Sequence, residues 1–276
     1  KQSITLQQHA DWIRNGFIVV PRLFDEEEMQ ILNETIKCDK ILHENEYSVN
    51  DRQGREASLA IWDYLSDDTY ANFMSSQRIC RIVSALMNNQ PIQHYHTKLM
   101  LKHAKTGGAI EWHQDYGYWY QNGLLFPDLV TAFIAVDECK KSNGCLQVLK
   151  GSHLMGRIEH KMIEGQTCAD PDRMTFIEQV CEAQYVELKP GDTLFFHCNV
   201  LHRSAPNESD ESRYALLAAY NRKGNKSFQA HHHILTDISP IDDGQIKKMG
   251  VVPTFDENIF MDPTRDRTTK VNEKNK

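Results

Sequence analysis

The hydrophobic positions in the first third of the chain recur mainly with the period of a helix. This spacing predicts helices over residues 5–16, within 23–42, over 57–65 and over 70–89. Gly16 is expected to end the first helix, and Asp25 to cap the second, whose acidic first turn suits the positive end of the helix dipole. A short strand is predicted at 17–21, whereas residues 44–56 are polar and irregular.

From residue 92 the period changes to two. In the segment 94–102, one face carries His96, Lys98, Met100 and Lys102, and the other carries Thr97, Leu99 and Leu101. Further β-rich runs, bounded by turn residues, occupy 109–120, 128–137, 145–153, 184–197, 199–205 and 213–221. We therefore predict a mainly β sandwich or barrel with flanking helices. No linker divides the chain, so residues 1–276 are expected to form a single domain, with a C-terminal wrap and a frayed tail after 240.

Composition narrows the class of protein. The 276 residues include 40% hydrophobic and 25% charged residues, which are typical of a globular chain. No apolar stretch approaches the roughly 20 residues that span a bilayer. The net charge of −7 comes without a basic cluster, so neither a nucleic acid nor a membrane is an expected partner. Seven cysteines without a CxxC pair, and no signal-peptide pattern, favour a reducing, cytoplasmic location.

The segment Trp112–Asp115 carries the sharpest candidate chemistry. On a strand, His113 and Asp115 would project from one face, because they are two residues apart. His202 follows on another predicted strand. Two histidines and one carboxylate form the facial triad of non-haem Fe(II) oxygenases, which leaves positions open for a co-substrate and O₂. His197 also follows an apolar run and competes with His202 as the third ligand.

A second group of residues follows this triad. Ser204 shares the strand face of His202, and Arg213 opens the next apolar strand. A guanidinium offers a planar fork of donors that matches a carboxylate, and a hydroxyl can add one more hydrogen bond. A metal beside such a clamp is what a 2-oxoacid co-substrate needs. The alternative for Arg213 is a surface salt bridge with the acidic loop before it.

Together these motifs resemble the phytanoyl-CoA dioxygenase (PhyH) family of Fe(II)/2-oxoglutarate oxygenases, over about residues 8–222. The motifs are NGFIVVPRLF (15–24), WHQD (112–115), NGCLQVLKGSH (143–153), PGDTLFFH (190–197) and LHRSAPNESDESR (201–213). The resemblance implies a double-stranded β-helix (jelly-roll, cupin-like) core at about 92–222. The segment WHQDYGYWYQNG also resembles the ectoine-hydroxylase branch.

The resemblance also implies roles for individual residues. His113, Asp115 and His202 would bind iron, and Arg213 with Ser204 would hold the 2-oxoglutarate C5 carboxylate. Lys98 and Phe133 fall where the family places further co-substrate contacts, and Lys102 is a rival for the lysine role. Because a carboxylate, Asp115, occupies the position that halogenating relatives leave to a small residue, hydroxylation is favoured over halogenation.

The implied activity is hydroxylation of a small-molecule metabolite with Fe(II), 2-oxoglutarate and O₂, with ascorbate as reductant in vitro and succinate and CO₂ as products. Aromatic faces bind ammonium groups, so Tyr116, Tyr118 and Trp119 could form a wall for a polar or zwitterionic substrate, with Arg157 as a further contact. Packing in the core is the alternative for Trp119. We expect a monomer or homodimer.

Two other functions stay open: a metal- and 2-oxoglutarate-binding jelly-roll protein without turnover, and a zinc hydrolase that uses the same three ligands. The second would not need Arg213 and Ser204 in register with His202. The histidine run 231–233 resembles a metal tract, but a solvated loop is the expected structure there.

Overall fold

Two antiparallel sheets form the core of the computed structural model, which describes residues 4–254, 256 and 259–262. The strands are β1 (Phe17–Val20), β2 (Tyr47–Asn50), β3 (Glu56–Trp62), β4 (Ile92–Lys102), β5 (Ile110–His113), β6 (Leu129–Ala135), β7 (Leu146–Leu149), β8 (His160–Ile163), β9 (Gln166–Ala169), β10 (Ala183–Val186), β11 (Thr193–His197), β12 (His202–Ser204), β13 (Arg213–Arg222) and β14 (Thr236–Asp237). The larger sheet has the order β1-β11-β6-β13-β4-β3-β2, with β14 also beside β4, and the smaller has the order β10-β7-β12-β5.

The helices are α1 (Leu6–Asn15), α2 (Glu26–Cys38), α3 (Lys40–Glu44), α4 (Thr69–Ser75), α5 (Gln77–Leu86), α6 (Asp115–Gln121), α7 (Pro171–Val180) and α8 (Gln245–Met249). Among the described residues, none of these helices is long and apolar enough to cross a membrane. Thr5 caps α1 with a capping box, and Gly16 ends it in the left-handed conformation with φ 83°. Asp25 caps α2 as predicted.

The two faces of the larger sheet have different roles. On one face, Leu99 and Leu101 of β4 join a core cluster with residues of the N-terminal helices, such as Leu32 and Phe73. On the other face, alternate residues of the same strand line a cavity between the two sheets. This arrangement confirms the predicted mainly β, jelly-roll architecture with flanking helices. It also confirms the period of two read from segment 94–102.

Several predicted elements are wrong in type. The segment predicted as a helix at 57–65 contains strand β3, which pairs with both β2 and β4, and β2 lies in the segment predicted to be irregular. The apolar run of β3 is accommodated by its long-range pairing with β4, which a local pattern does not reveal. Residues 109–120 form one short strand followed by α6, and α7, capped by Asp170, was not predicted.

The described part of the C-terminal segment packs along the helices and the edge of the larger sheet. Ile246 of α8 belongs to the main core cluster. The backbone N–H groups of Thr254 and Met261 donate to the Asp39 carboxylate and the Ile61 carbonyl, respectively. The end of the predicted tail, 263–276, lies outside the described residues, and a single domain over the whole chain stays a prediction.

Candidate metal and co-substrate site

Three buried side chains converge between the two sheets. His113 ends β5 and lies directly opposite His202, the first residue of β12. The Oδ1 atom of Asp115 is 3.9 Å from Nε2 of His113 and 3.8 Å from Nε2 of His202. One ligand atom from each residue lies within 4.8 Å of the other two, so the three groups can hold one metal ion.

Asp115 lies in a different type of secondary structure from the one that the sequence analysis predicted. It is the first residue of α6 rather than part of a strand. Gln114 between the two ligands is extended, with φ −108° and ψ 136°, so the side chains of His113 and Asp115 still face the same way. The buried Gln114 amide anchors this turn by donating to the Gly156 and Asn199 carbonyls.

Hydrogen bonds orient all three candidate ligands. Nδ1 of His113 is 2.8 Å from the Glu111 carbonyl, and Nδ1 of His202 is 3.0 Å from the Val200 carbonyl. Since a carbonyl only accepts, each Nδ1 carries the proton and each Nε2 keeps its lone pair for a metal. The Thr131 hydroxyl donates to Oδ2 of Asp115 at 2.9 Å, a contact that the sequence analysis missed.

Burial supports the same protonation state. It lowers the pKa of both histidines, in the case of His113 well below the ordinary value, and the neighbouring His202 imidazole adds to the effect there. Neutral imidazoles are the form that binds a metal. A donor set of two imidazoles and one carboxylate fits mononuclear non-haem Fe(II).

The predicted carboxylate clamp lies at one end of the same cavity. Arg213 is 1% exposed, and no described residue forms an ion pair with it. Its Nε is buried without a hydrogen-bond partner in the described chain, and the guanidinium lies 5.9 Å from the centre of the Phe133 ring. Burial lowers the pKa of Arg213. The alternative of a surface salt bridge for Arg213 is therefore wrong. The buried guanidinium has the chemistry to bind a carboxylate.

The two candidate lysines have different positions. Lys98 lines the cavity. Lys102, four residues further along β4, is buried, and its Nζ donates to Ser204 Oγ at 3.0 Å and to the Gly108 and Ala205 carbonyls. Lys102 therefore orients the Ser204 hydroxyl at the clamp rather than facing the cavity.

The cavity has a volume of about 140 Å³. Tyr118 and Trp119, which were predicted to contact substrate, line it. Tyr116 is instead buried elsewhere, with its hydroxyl donating to the Leu124 carbonyl. Arg157 lies outside the lining as well, where it pairs with Glu159 at 2.9 Å.

Three other histidines considered in the sequence analysis can now be placed relative to the cavity. The rival ligand His197 is not among the lining residues and packs near Trp12 and His153, at ring distances of 6.0 and 5.6 Å. His96 and His233 line the cavity, so the expectation of a solvated loop is wrong for His233. Strand β14, which follows the histidine run in the sequence, pairs with β4. No local sequence pattern indicates such a long-range contact.

The fold and the cluster define the class: a jelly-roll protein with a mononuclear site of two histidines and one carboxylate. The family model for phytanoyl-CoA dioxygenase (PhyH) matches residues 12–215, and the chain belongs to this family. It is an iron- and 2-oxoglutarate-dependent dioxygenase, as the sequence predicts.

Individual relatives are distant but cover most of the chain. L-proline trans-4-hydroxylase of Streptomyces griseoviridis is 25% identical, over 77% of this chain and 84% of the relative. Methylphosphonate hydroxylase of Gimesia maris is 25% identical, over 79% of this chain and 81% of the relative. The crystal structure of EctD from S. alaskensis with bound Fe aligns with a TM-score of 0.70 and 20% identity, covering 83% and 80% of the two chains.

Proposed function

We propose that His113, Asp115 and His202 bind Fe(II), and that Arg213 with Ser204 holds the distal carboxylate of 2-oxoglutarate, so that the enzyme hydroxylates a small polar metabolite. One observation carries this proposal. The buried guanidinium of Arg213, which lacks a counter-ion among the described residues, opens into the same cavity as the three ligands. A zinc hydrolase would have no use for this buried cation.

The remaining residues of the site position these groups. Thr131 fixes one oxygen of Asp115, which leaves the other oxygen toward the two histidines. The Phe133 ring, beside Arg213, and Phe196, whose ring lies 4.8 Å from that of His202, keep water away from the clamp and the ligands. When bound, iron, 2-oxoglutarate and O₂ supply the oxidising chemistry, and 2-oxoglutarate leaves as succinate and CO₂.

The substrate is proposed to be a polar or zwitterionic metabolite. The cavity of about 140 Å³ favours a small molecule, and Tyr118 and Trp119 present aromatic surface to it. The names of the two relatives, which refer to proline and to methylphosphonate, are compatible with a substrate of this size. A cytoplasmic monomer or homodimer remains our expectation.

Loading the purified chain with Fe(II), 2-oxoglutarate and ascorbate in air, with a metabolite mixture, tests the activity through the succinate formed. Variants His113→Ala and Asp115→Ala should lose iron-dependent succinate formation, because each removes one of three ligands. His9→Ala, at an exposed position of α1, is the matched control. Full turnover in either ligand variant would refute the assignment. Iron and 2-oxoglutarate binding without succinate under any mixture would instead favour the non-catalytic binding protein.

A further inference from the structure

One buried imidazole outside the cavity lining contacts the turn that carries two of the candidate metal ligands. His160, the first residue of β8, is 5% exposed and is not among the residues that line the cavity. Its Nε2 accepts a hydrogen bond from the backbone N–H of Gln114 at 2.9 Å. Because Gln114 lies between His113 and Asp115, this bond holds the backbone that joins the two ligands.

The hydrogen bonds of His160 fix its protonation state. A backbone N–H only donates, so Nε2 of His160 keeps its lone pair. Nδ1 is 2.8 Å from the Ile158 carbonyl, which only accepts, so Nδ1 carries the proton. Burial also lowers the pKa of His160, which favours this neutral form. Both ring nitrogens are therefore used by the protein, and neither is free to bind a metal or a substrate.

Gly117 of α6 gives the imidazole room for this position. A Cβ atom at Gly117 would lie 2.4 Å from ring atoms of His160. Since this distance is far below van der Waals contact, a larger residue at this position would push the ring away from Gln114. Gly117 is not among the glycines with a positive φ. The close approach of the ring, rather than the backbone conformation, therefore favours glycine there.

The segment that carries His160 is itself held in place. Oε1 of Gln114 accepts a hydrogen bond from the Ile158 N–H at 2.7 Å, so Gln114 contacts this segment through its side chain as well. Strand β8 pairs with β9, and the Asp170 N–H donates to the Glu159 carbonyl at 2.9 Å. The β8–β9 hairpin also contributes residues to the cavity lining. His160 thus joins the turn between the ligands to a wall of the cavity.

We propose that His160 is a positioning residue, whose imidazole holds the Gln114 backbone so that His113 and Asp115 face one metal ion. This inference rests on the proposed metal site. Without the imidazole, the buried N–H of Gln114 loses its acceptor, and a shift of the turn is the way to recover one. Such a shift moves apart ligand atoms that must lie around one ion, and we expect weaker metal binding as a result.

Chelator competition for Fe(II) without O₂ tests this role in three variants. His160→Leu removes the acceptor and should raise the dissociation constant of Fe(II) roughly 10- to 100-fold. His160→Gln places an amide oxygen near the position of Nε2 and should recover most of the lost affinity. Gly117→Ala keeps His160 but displaces its ring, so it should also weaken Fe(II) binding, although alanine favours a helix more than glycine does.

A spectroscopic measurement and a control separate positioning from a general loss of structure. The visible absorption of bound Co(II), which depends on ligand geometry, should change in His160→Leu and return toward that of the wild type in His160→Gln. The control is His94→Leu, which removes another buried imidazole with two hydrogen bonds, to the Asp63 carbonyl and to Thr97. This control should lower the melting temperature and leave the dissociation constant of Fe(II) unchanged.

An unchanged dissociation constant of Fe(II) in folded His160→Leu would overturn the positioning role, as would equal weakening in His160→Leu and His94→Leu. If His160→Leu does not fold, Gly117→Ala decides, and unchanged Fe(II) binding in that variant would overturn the role. Failure of the wild type to bind Fe(II) would instead overturn the proposed metal site itself.

Discussion

Replacing Arg213 with methionine tests the co-substrate clamp most directly. Methionine keeps much of the packing of this side chain, which is 1% exposed, without its charge. Nε of Arg213 has no hydrogen-bond partner among the described residues, so no hydrogen bond of this atom to the protein is lost. Removal of a buried cation that has no counter-ion relieves a desolvation cost. We therefore expect the ligand-free variant to be at least as stable as the wild type, whereas its binding of 2-oxoglutarate should collapse.

The magnitude follows from the two charge-assisted hydrogen bonds that a guanidinium fork makes with a carboxylate. At about 1.5–3 kcal/mol each, their loss costs about 3–6 kcal/mol, which is roughly a 100-fold to 20,000-fold rise in the dissociation constant. At 100 times the wild-type dissociation constant, 2-oxoglutarate stabilises the wild type by about 2.7 kcal/mol. The same concentration should stabilise Arg213→Met by about 0.4 kcal/mol or less.

Calorimetry and thermal unfolding with 2-oxoglutarate and with 2-oxobutyrate measure these effects. The wild type should prefer 2-oxoglutarate, which has the distal carboxylate, and Arg213→Met should bind both compounds alike. Arg203→Met is the control, because Arg203 lines the cavity but is already bonded to Gln147 and lies near Glu178. An unchanged preference for 2-oxoglutarate in Arg213→Met would refute the clamp.

Two further predictions concern the metal ligands and the pH. Thr131→Val removes the hydrogen bond to Asp115, so iron affinity in a chelator competition should fall roughly 10- to 100-fold, and an unchanged affinity would exclude this positioning role. Burial lowers the pKa of His94 to about 3 and of His197 to about 4, so the unfolded chain takes up these protons first. The free energy of unfolding in urea should therefore decrease as the pH falls from about 6.5 to about 4, by up to about 1.4 kcal/mol per pH unit for each of the two histidines. The decrease should be less steep in the His197→Asn variant. A free energy of unfolding that stays constant over this range would contradict the prediction.

The parts of the fold with local signals could be predicted from the sequence. The cap at Asp25, the left-handed Gly16 and the alternation along β4 each depend on neighbours within a few residues. The cluster of candidate metal ligands could be predicted for a similar reason, since the two-residue spacing of His113 and Asp115 keeps both side chains on one side despite the change from strand to helix at Gln114. Strand β3 was not predicted because its central place in the sheet depends on pairing with β4, which lies about 35–43 residues later in the sequence.

The part of the cavity wall around His233 could not be predicted, because residues far apart in sequence build it. His233 comes from a run that reads as solvated, and its position depends on Asp63, which lies 170 residues earlier. Lys102 had the same face in the sequence pattern as Lys98, yet its ammonium turns to Ser204 and two carbonyls. The difference between these two lysines is set by the oxygens that surround each ammonium group, and only the folded chain brings those oxygens together.

The distribution of buried charge connects the fold to the function. Away from the cavity, the buried carboxylate of Glu28 pairs with Arg78 at 2.8 Å, so its charge is compensated within the chain. In the cavity, Arg213 has no such partner among the described residues. A sequence that specified only a stable jelly-roll would not retain an uncompensated buried cation there. Its position in the same cavity as the three candidate ligands therefore implies an anionic group on the molecule that binds beside the metal cluster.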